Sequence, residues 1–258
     1  MRLMKRILSA AAVLALSASL LVGCSSGTAS SVPVSARSAA ESTVSSVEET
    51  ASSAVDENEA AAAQLLNDLT GSYQELWPVI LADEYKQTWL DDCTALVGED
   101  NAEAAFEKLS SMVTGDVYGE DAVKAYANGG GAYFCGFTNS LAILTFDGET
   151  STISGTDKDG NVLFSHTYHY IGMEPVRGLY EFQSDDADSG EFTYFFLAPD
   201  TSAETYHIEF RYGSDAEALS QYDTGEYAYW LASGISTDCD QTMIDNCIEL
   251  FCTENLAG

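Results

Sequence analysis

Residues 141–170 read LAILTFDGETSTISGTDKDGNVLFSHTYHY, and this stretch decides what kind of fold the chain adopts. Apolar and polar residues alternate through much of it, which sends successive side chains to opposite faces of an extended chain. Asp147-Gly148 and Asp159-Gly160 interrupt the alternation, and Ser189-Gly190 repeats the signal further on. Such pairs accept the positive φ of tight hairpin turns, so the segments flanking them pair antiparallel. The pattern predicts strands over roughly 132–138, 141–147, 150–155, 162–170, 178–184, 191–198 and 205–212. A meander so closely spaced curls into a barrel or a strongly twisted sheet.

Upstream of Gly129-Gly130-Gly131 the period is helical. Glu59 to Leu69 is rich in Ala and Leu, and Trp77, Ile80, Leu81, Tyr85, Trp89, Cys93 and Leu96 mark one face of a longer helix. Pro78 suits its first turn and Gly98 its stop. Ala102, Ala105, Phe106, Leu109 and Met112 indicate a third helix, and Glu120 to Ala127 a short fourth. Three glycines in a row then end the helical half. Beyond the strands, Ser214 with Glu217 and Asp238 with Gln241 have capping-box spacing for a short helix and a closing one. Helices beside an antiparallel meander make the expected class α+β.

Arg2, Lys5 and Arg6 precede an apolar run from Ile7 to Val22 that passes through Gly23 to Cys24. That order reads as a bacterial lipoprotein signal peptide over 1–23, with Cys24 the lipidated mature N-terminus. A membrane-spanning helix needs about 20 apolar residues, and this run is shorter and ends in Ser-rich sequence. From 24 to 61 the composition is Ser, Ala, Val, Thr and Glu, too poor in large apolar groups to offset the entropy of ordering, so a spacer is expected. Residues 62–256 suffice for one domain with a substantial core. The expected location is the bacterial cell envelope, outside the cytoplasm, with the membrane as a partner through the lipid at Cys24.

The chain carries 41 acidic against 10 basic residues, a formal net charge of −31. Loss of the three basic residues of the leader makes the mature chain more acidic still. Phosphate binding needs clustered Lys and Arg, and those remaining are scattered, so nucleic acid is excluded as an expected partner. Apart from Cys24 there are Cys93, Cys135, Cys239, Cys247 and Cys252, an odd set with no CxxC spacing. Cys239, Met243, Ile244, Cys247, Ile248, Phe251 and Cys252 share a helical stripe, so buried or disulfide-linked thiols are the expectation.

Tyr206-His207-Ile208 is followed by Gly213-Ser214-Asp215-Ala216-Glu217. Together with Gly71-Ser72-Tyr73-Gln74, Trp77-Pro78, Val176-Arg177-Gly178-Leu179-Tyr180-Glu181-Phe182 and the closing helix after Asp238, this order of motifs resembles the ZinT (YodA) family of extracytoplasmic zinc-binding proteins. The resemblance implies a calycin-like, lipocalin-related barrel with added helices. It also implies a zinc site of three imidazoles on the barrel's inner side, one three residues before an Ala-Pro pair and two in a His-x-His shortly after it. Ala198-Pro199 is present, but the three positions hold Phe195, Thr205 and His207. His207 is therefore the candidate metal ligand of a degraded site.

Glu209 shares the strand face of His207, and Glu204 precedes it, so a His-plus-carboxylate set is the replacement the sequence offers; carboxylates shift preference from zinc toward manganese, calcium or magnesium. His166 and His169, three apart on one strand, point to opposite faces. Asp157-Lys158-Asp159-Gly160-Asn161 begins like a calcium loop, but Tyr168 stands at the closing position, which favours a hairpin. Asp185, Asp186 and Asp188 read as a solvated loop. No P-loop or nucleophile elbow occurs, so the expected function is non-enzymatic: a lipid-anchored protein binding a divalent metal ion, zinc foremost, and delivering it to a metal-uptake system. The alternative expectation is a barrel that binds a small organic or peptide ligand without metal, with Tyr168, Tyr170, Tyr194 and Tyr206 supplying polar tips.

Overall fold

The computed structural model describes residues 57–199 and 205–257. Its strands close into an antiparallel barrel in chain order: β1 (Gly71–Glu75), β2 (Ile143–Asp147), β3 (Thr152–Thr156), β4 (Val162–Met173), β5 (Tyr180–Ser184), β6 (Tyr194–Leu197), β7 (Ile208–Gly213) and β8 (Ala232–Ser236). Each pairs with the next, and β8 returns to β1 through Tyr73–Ser236, Gln74–Ile235 and Glu75–Gly234. Closure pairs both sides of every strand and leaves no edge open to another chain. With its helices the architecture is α+β and calycin-like.

The alternation read from the sequence becomes an inside and an outside. Along β7, Ile208, Phe210 and Tyr212 face inward, and the register carries that face to Leu197 and Phe195 on β6 and Phe182 on β5. Phe195 stacks on Tyr212 with centroids 5.3 Å apart and meets Tyr168 edge-on at 5.4 Å. The room for these rings comes from small residues on the same face. At Gly155 a Cβ would stand 2.4 Å from both the Leu141 and Phe164 side chains, so hydrogen alone fits there. A helix over 57–68 (α1) adds Ala62, Leu65 and Leu66 to this core.

A second apolar layer covers part of the outer wall. It is built by α2 (Leu76–Ile80), α3 (Lys86–Val97), α4 (Glu99–Val113) and the C-terminal helix (Gln241–Leu256). Leu76, Ile80, Trp89, Cys93, Leu109, Ile244, Ile248 and Cys252 pack together there with the outward-facing Ile235. Among the described residues, no helix is long and apolar enough to cross a membrane. The leader, Cys24 and the spacer as far as residue 56 lie outside the described residues, while 57–61, expected as the spacer's end, form the start of α1.

Several elements differ from expectation. Segment 132–138 makes isolated bridges at Phe134 and is not a barrel strand. It runs beside the approach to β8, with Phe134 N–H donating to the Tyr229 carbonyl, while β1 and β7 hold the two sides of β8. β1 and β8 themselves fall outside the predicted strands. The long helix expected from Trp77 to Leu96 is broken. Ala82 is extended at φ −60, ψ 146, and the Trp89 indole N–H donates to the Ile80 carbonyl at 2.7 Å, giving the end of α2 a partner without continuing the helix. The caps move as well. Asp215, not Ser214, accepts from the Glu217 and Ala218 N–H groups, and Asp240, not Asp238, accepts from Met243. In each case the capping carboxylate immediately precedes the first helical residue, as N-cap geometry requires.

Candidate metal-binding seam around His207

Tyr206 has a positive φ of 64° and turns the chain into β7. Across that turn the Thr205 hydroxyl donates to the His207 carbonyl at 2.8 Å, and His207 Nδ1 lies 2.7 Å from the Thr205 carbonyl. A carbonyl oxygen only accepts, so Nδ1 carries a proton and Nε2 is the nitrogen left for other partners. Nε2 lies 3.8 Å from Glu209 Oε1, and the His207 side chain is 16% exposed. Because Ile208 and Phe210 face inward, His207 and Glu209 face out, beneath the helical layer. Leu76, Trp77 and Ile80 of α2 and Cys247, Phe251 and Glu254 of the C-terminal helix close over them around a cavity of about 70 Å³.

Burial by itself lowers the pKa of the His207 imidazole, but the Cys247 thiol and the Glu209 carboxylate outweigh it and raise the value to about 10. A folded-state pKa above that of the unfolded chain means these contacts stabilise the fold fully below about pH 6.5. The contribution is lost as pH rises toward about 10.

The inner-side placement expected from the resemblance is corrected. Phe195 lies inside the barrel among aromatic rings and is 0% exposed, whereas His207 lies on the outer wall, so the two positions lie on opposite sides of the sheet. An imidazole at residue 195 would point away from residue 207. Phe195→His is therefore expected to leave zinc affinity unchanged in calorimetry while destabilising the fold by about 2–4 kcal/mol, the order expected for putting a polar ring into a packed apolar core. A gain in zinc affinity would place residues 195 and 207 at one site.

His166 lies on the inner face of β4, with Nδ1 2.6 Å from Asp186 Oδ2, and His169 on the outer face, with Nδ1 2.6 Å from Asp185 Oδ1. The opposite-face expectation is met, and Asp185 and Asp186, exposed in the solvated loop expected there, each meet one imidazole. Both histidines sit on β4, around the wall from β7. Asp157 accepts from the N–H groups of Asp159 and Asn161 at 2.9 Å each, and the Asn161 side chain leads the interactions that lower its pKa, which makes this a hairpin turn. Glu204 lies outside the described residues. The four tyrosines do not line one chamber: Tyr168 donates to the Phe192 carbonyl within the core, while Tyr206 belongs to the helical layer. With its interior filled by rings, the barrel holds its larger grooves outside. One of about 430 Å³ runs past Trp77, Tyr133, Arg177 and Glu209.

Cys247 is the member of the seam that sequence reasoning missed. Its place in a helical stripe marked it as buried, but nothing local says which strand that stripe covers. His207, Glu209 and Cys247 present imidazole, carboxylate and thiol, the donor types that zinc accepts. Their assembly is another matter: among the described residues, no group of three or more His, Cys, Asp or Glu side chains could hold a metal ion as placed. The donor chemistry fits zinc; the set is not closed around a point.

No family model matches the chain, and no curated protein matches it. Among solved structures it is similar to the Zn(II)-bound ZinT-like domain of Streptococcus pneumoniae AdcA, at 15% identity over 72% of this chain and 89% of that one, with a TM-score of 0.45. It is also similar to Zn(II)-bound AdcA from Streptococcus pneumoniae, at 14% identity over 75% of this chain and 35% of that one, with a TM-score of 0.42.

Proposed function

We propose that this chain is a non-enzymatic, ZinT-like protein of the bacterial cell envelope, anchored through a lipid at Cys24, that binds a divalent cation at a reduced site centred on His207. Zinc is the ion best suited to the donors, and delivery to a metal-uptake system is the role that fits an anchored binder outside the cytoplasm. The reading rests on the motif order in the sequence and on one geometric observation: Nδ1 of His207 is held by the Thr205 carbonyl while Nε2 is turned toward Glu209. A ring nitrogen fixed by a backbone carbonyl, with the other turned toward a carboxylate and a thiol, is an arrangement a metal-ligating histidine uses, and with the imidazole pKa raised to about 10 the ion binds by displacing the Nε2 proton. Two donors, His207 just before β7 and Glu209 within it, with the Cys247 thiol opposite and water completing the shell, imply weaker binding than a preassembled three-imidazole site.

Calorimetry or equilibrium dialysis with zinc on residues 25–258 tests this directly. Dissociation constants in the micromolar range are expected, with a loss of about 10- to 100-fold in His207→Ala. Absence of zinc binding by the wild-type chain, or equal binding by the variant, ends the proposal.

A further inference from the structure

We propose that Cys93 and Cys252 are joined by a disulfide in the exported protein, tying α3 to the C-terminal helix. Their sulfurs lie 3.9 Å apart, and both residues are 0% exposed in the layer where these two helices pack together. Reaching the bond length of about 2.05 Å requires a movement of about 2 Å shared between two side chains already in contact. Of the other three thiols, two are engaged elsewhere and Cys239 is half-buried. Cys135 directs its sulfur at the Tyr133 carbonyl, and Cys247 lines the His207 seam.

Two S–H bonds break and one S–S bond forms. The two electrons and two protons pass to the disulfide of an envelope thiol–disulfide oxidoreductase, which becomes a dithiol. Because both thiols are buried in the folded state, exchange precedes the final docking of the C-terminal helix on α3. The pair is separated by 159 residues, so the cross-link removes a long loop's freedom from the unfolded chain. The pairing stands on this geometry; its oxidant rests on the extracytoplasmic reading above.

The test uses the full chain, expressed with its leader and extracted from membranes, alongside the same protein reduced, unfolded and reoxidised in a glutathione buffer. Peptide mapping without reductant is expected to find residues 93 and 252 in one linked species. Alkylation of the unfolded, unreduced protein should block three of the five cysteines beyond Cys24. Reduction should lower the Tm by about 5–10 °C, and Cys93→Ser with Cys252→Ser should abolish that sensitivity to reductant. Free thiols at both positions after reoxidation, or a bond from either to another cysteine, overturn the proposal. Linkage in the reoxidised sample but free thiols in the extracted one would count against the extracytoplasmic location and leave the pair intact.

Discussion

Arg211→Ala lowers the free energy of unfolding by about 3–5 kcal/mol, measured by urea denaturation, because it removes the one group that satisfies a cluster of buried carbonyls. Arg211 faces out from β7 yet is 0% exposed. Its guanidinium donates to the carbonyls of Leu219 and Tyr227 and reaches that of Gln221 at 3.3 Å from both terminal nitrogens. The face of the guanidinium lies over the Tyr222 ring, with Cζ 4.4 Å from the centroid. Burial lowers the Arg211 pKa, so the charge is held by dipoles and a π face that partly replace water. The segment from Leu219 to Tyr227 is folded around this one side chain. Arg211→Lys should recover only part of the loss, since an ammonium cannot present the planar fork these carbonyls meet. Amide exchange should quicken first at Leu219 to Tyr227. A loss under about 1 kcal/mol for the alanine variant would show that water replaces the guanidinium at no cost, against the burial described.

Trp89→Ala is the second large effect, at about 3–5 kcal/mol. Trp89 is 0% exposed, its ring lies 5.7 Å from Phe106 and 6.0 Å from Phe251, and its indole N–H caps the Ile80 carbonyl at 2.7 Å. Truncation removes the packing and the hydrogen bond together, whereas Trp89→Phe keeps much of the ring and loses the donor. The phenylalanine variant should therefore cost about 1–2 kcal/mol. Equal losses for the two would mean that the hydrogen bond, not the packing, carries the contribution. Phe251 also lines the seam that holds His207, so the alanine variant should weaken zinc binding as the cover loosens, with His207 itself unaltered.

The span from Ile143 to Gly213 was legible because its strands are separated by Asp-Gly and Ser-Gly turns and carry aromatic and β-branched residues with a period of two. Segment 132–138 has the same look, and composition cannot tell a strand from a chain that lies alongside one. The strands that close the barrel were the illegible ones. Gly71–Glu75 and Ala232–Ser236 are five residues each, the first with Tyr73 as its one large apolar residue and the second made of Ala, Ser and Gly around Ile235, so no alternation stands out. In Ala232–Ser236 smallness is the reason the strand fits. A Cβ added at Gly234 would stand 3.1 Å from the Ile208 side chain and 3.4 Å from the Gln74 carbonyl oxygen, a constraint that exists only once β7, β8 and β1 are neighbours.

His207 itself was found from a motif, and its shared face with Glu209 follows from strand periodicity alone. Which side of the wall that face becomes is a different question. Local alternation determines that Ile208 and His207 point opposite ways; it does not say which way is in. That choice is made by closure, when Ile208, Phe210 and Tyr212 join the rings of β5 and β6 and the C-terminal helix settles over the other face. The sequence by itself determined a β-meander with helices, one imidazole among the three expected ligand positions and five thiols beyond Cys24. Only the tertiary structure decided that the imidazole meets Cys247 and that Cys93 meets Cys252, because contacts between residues far apart in the chain arise when two separately folded surfaces are pressed together by the apolar area they share.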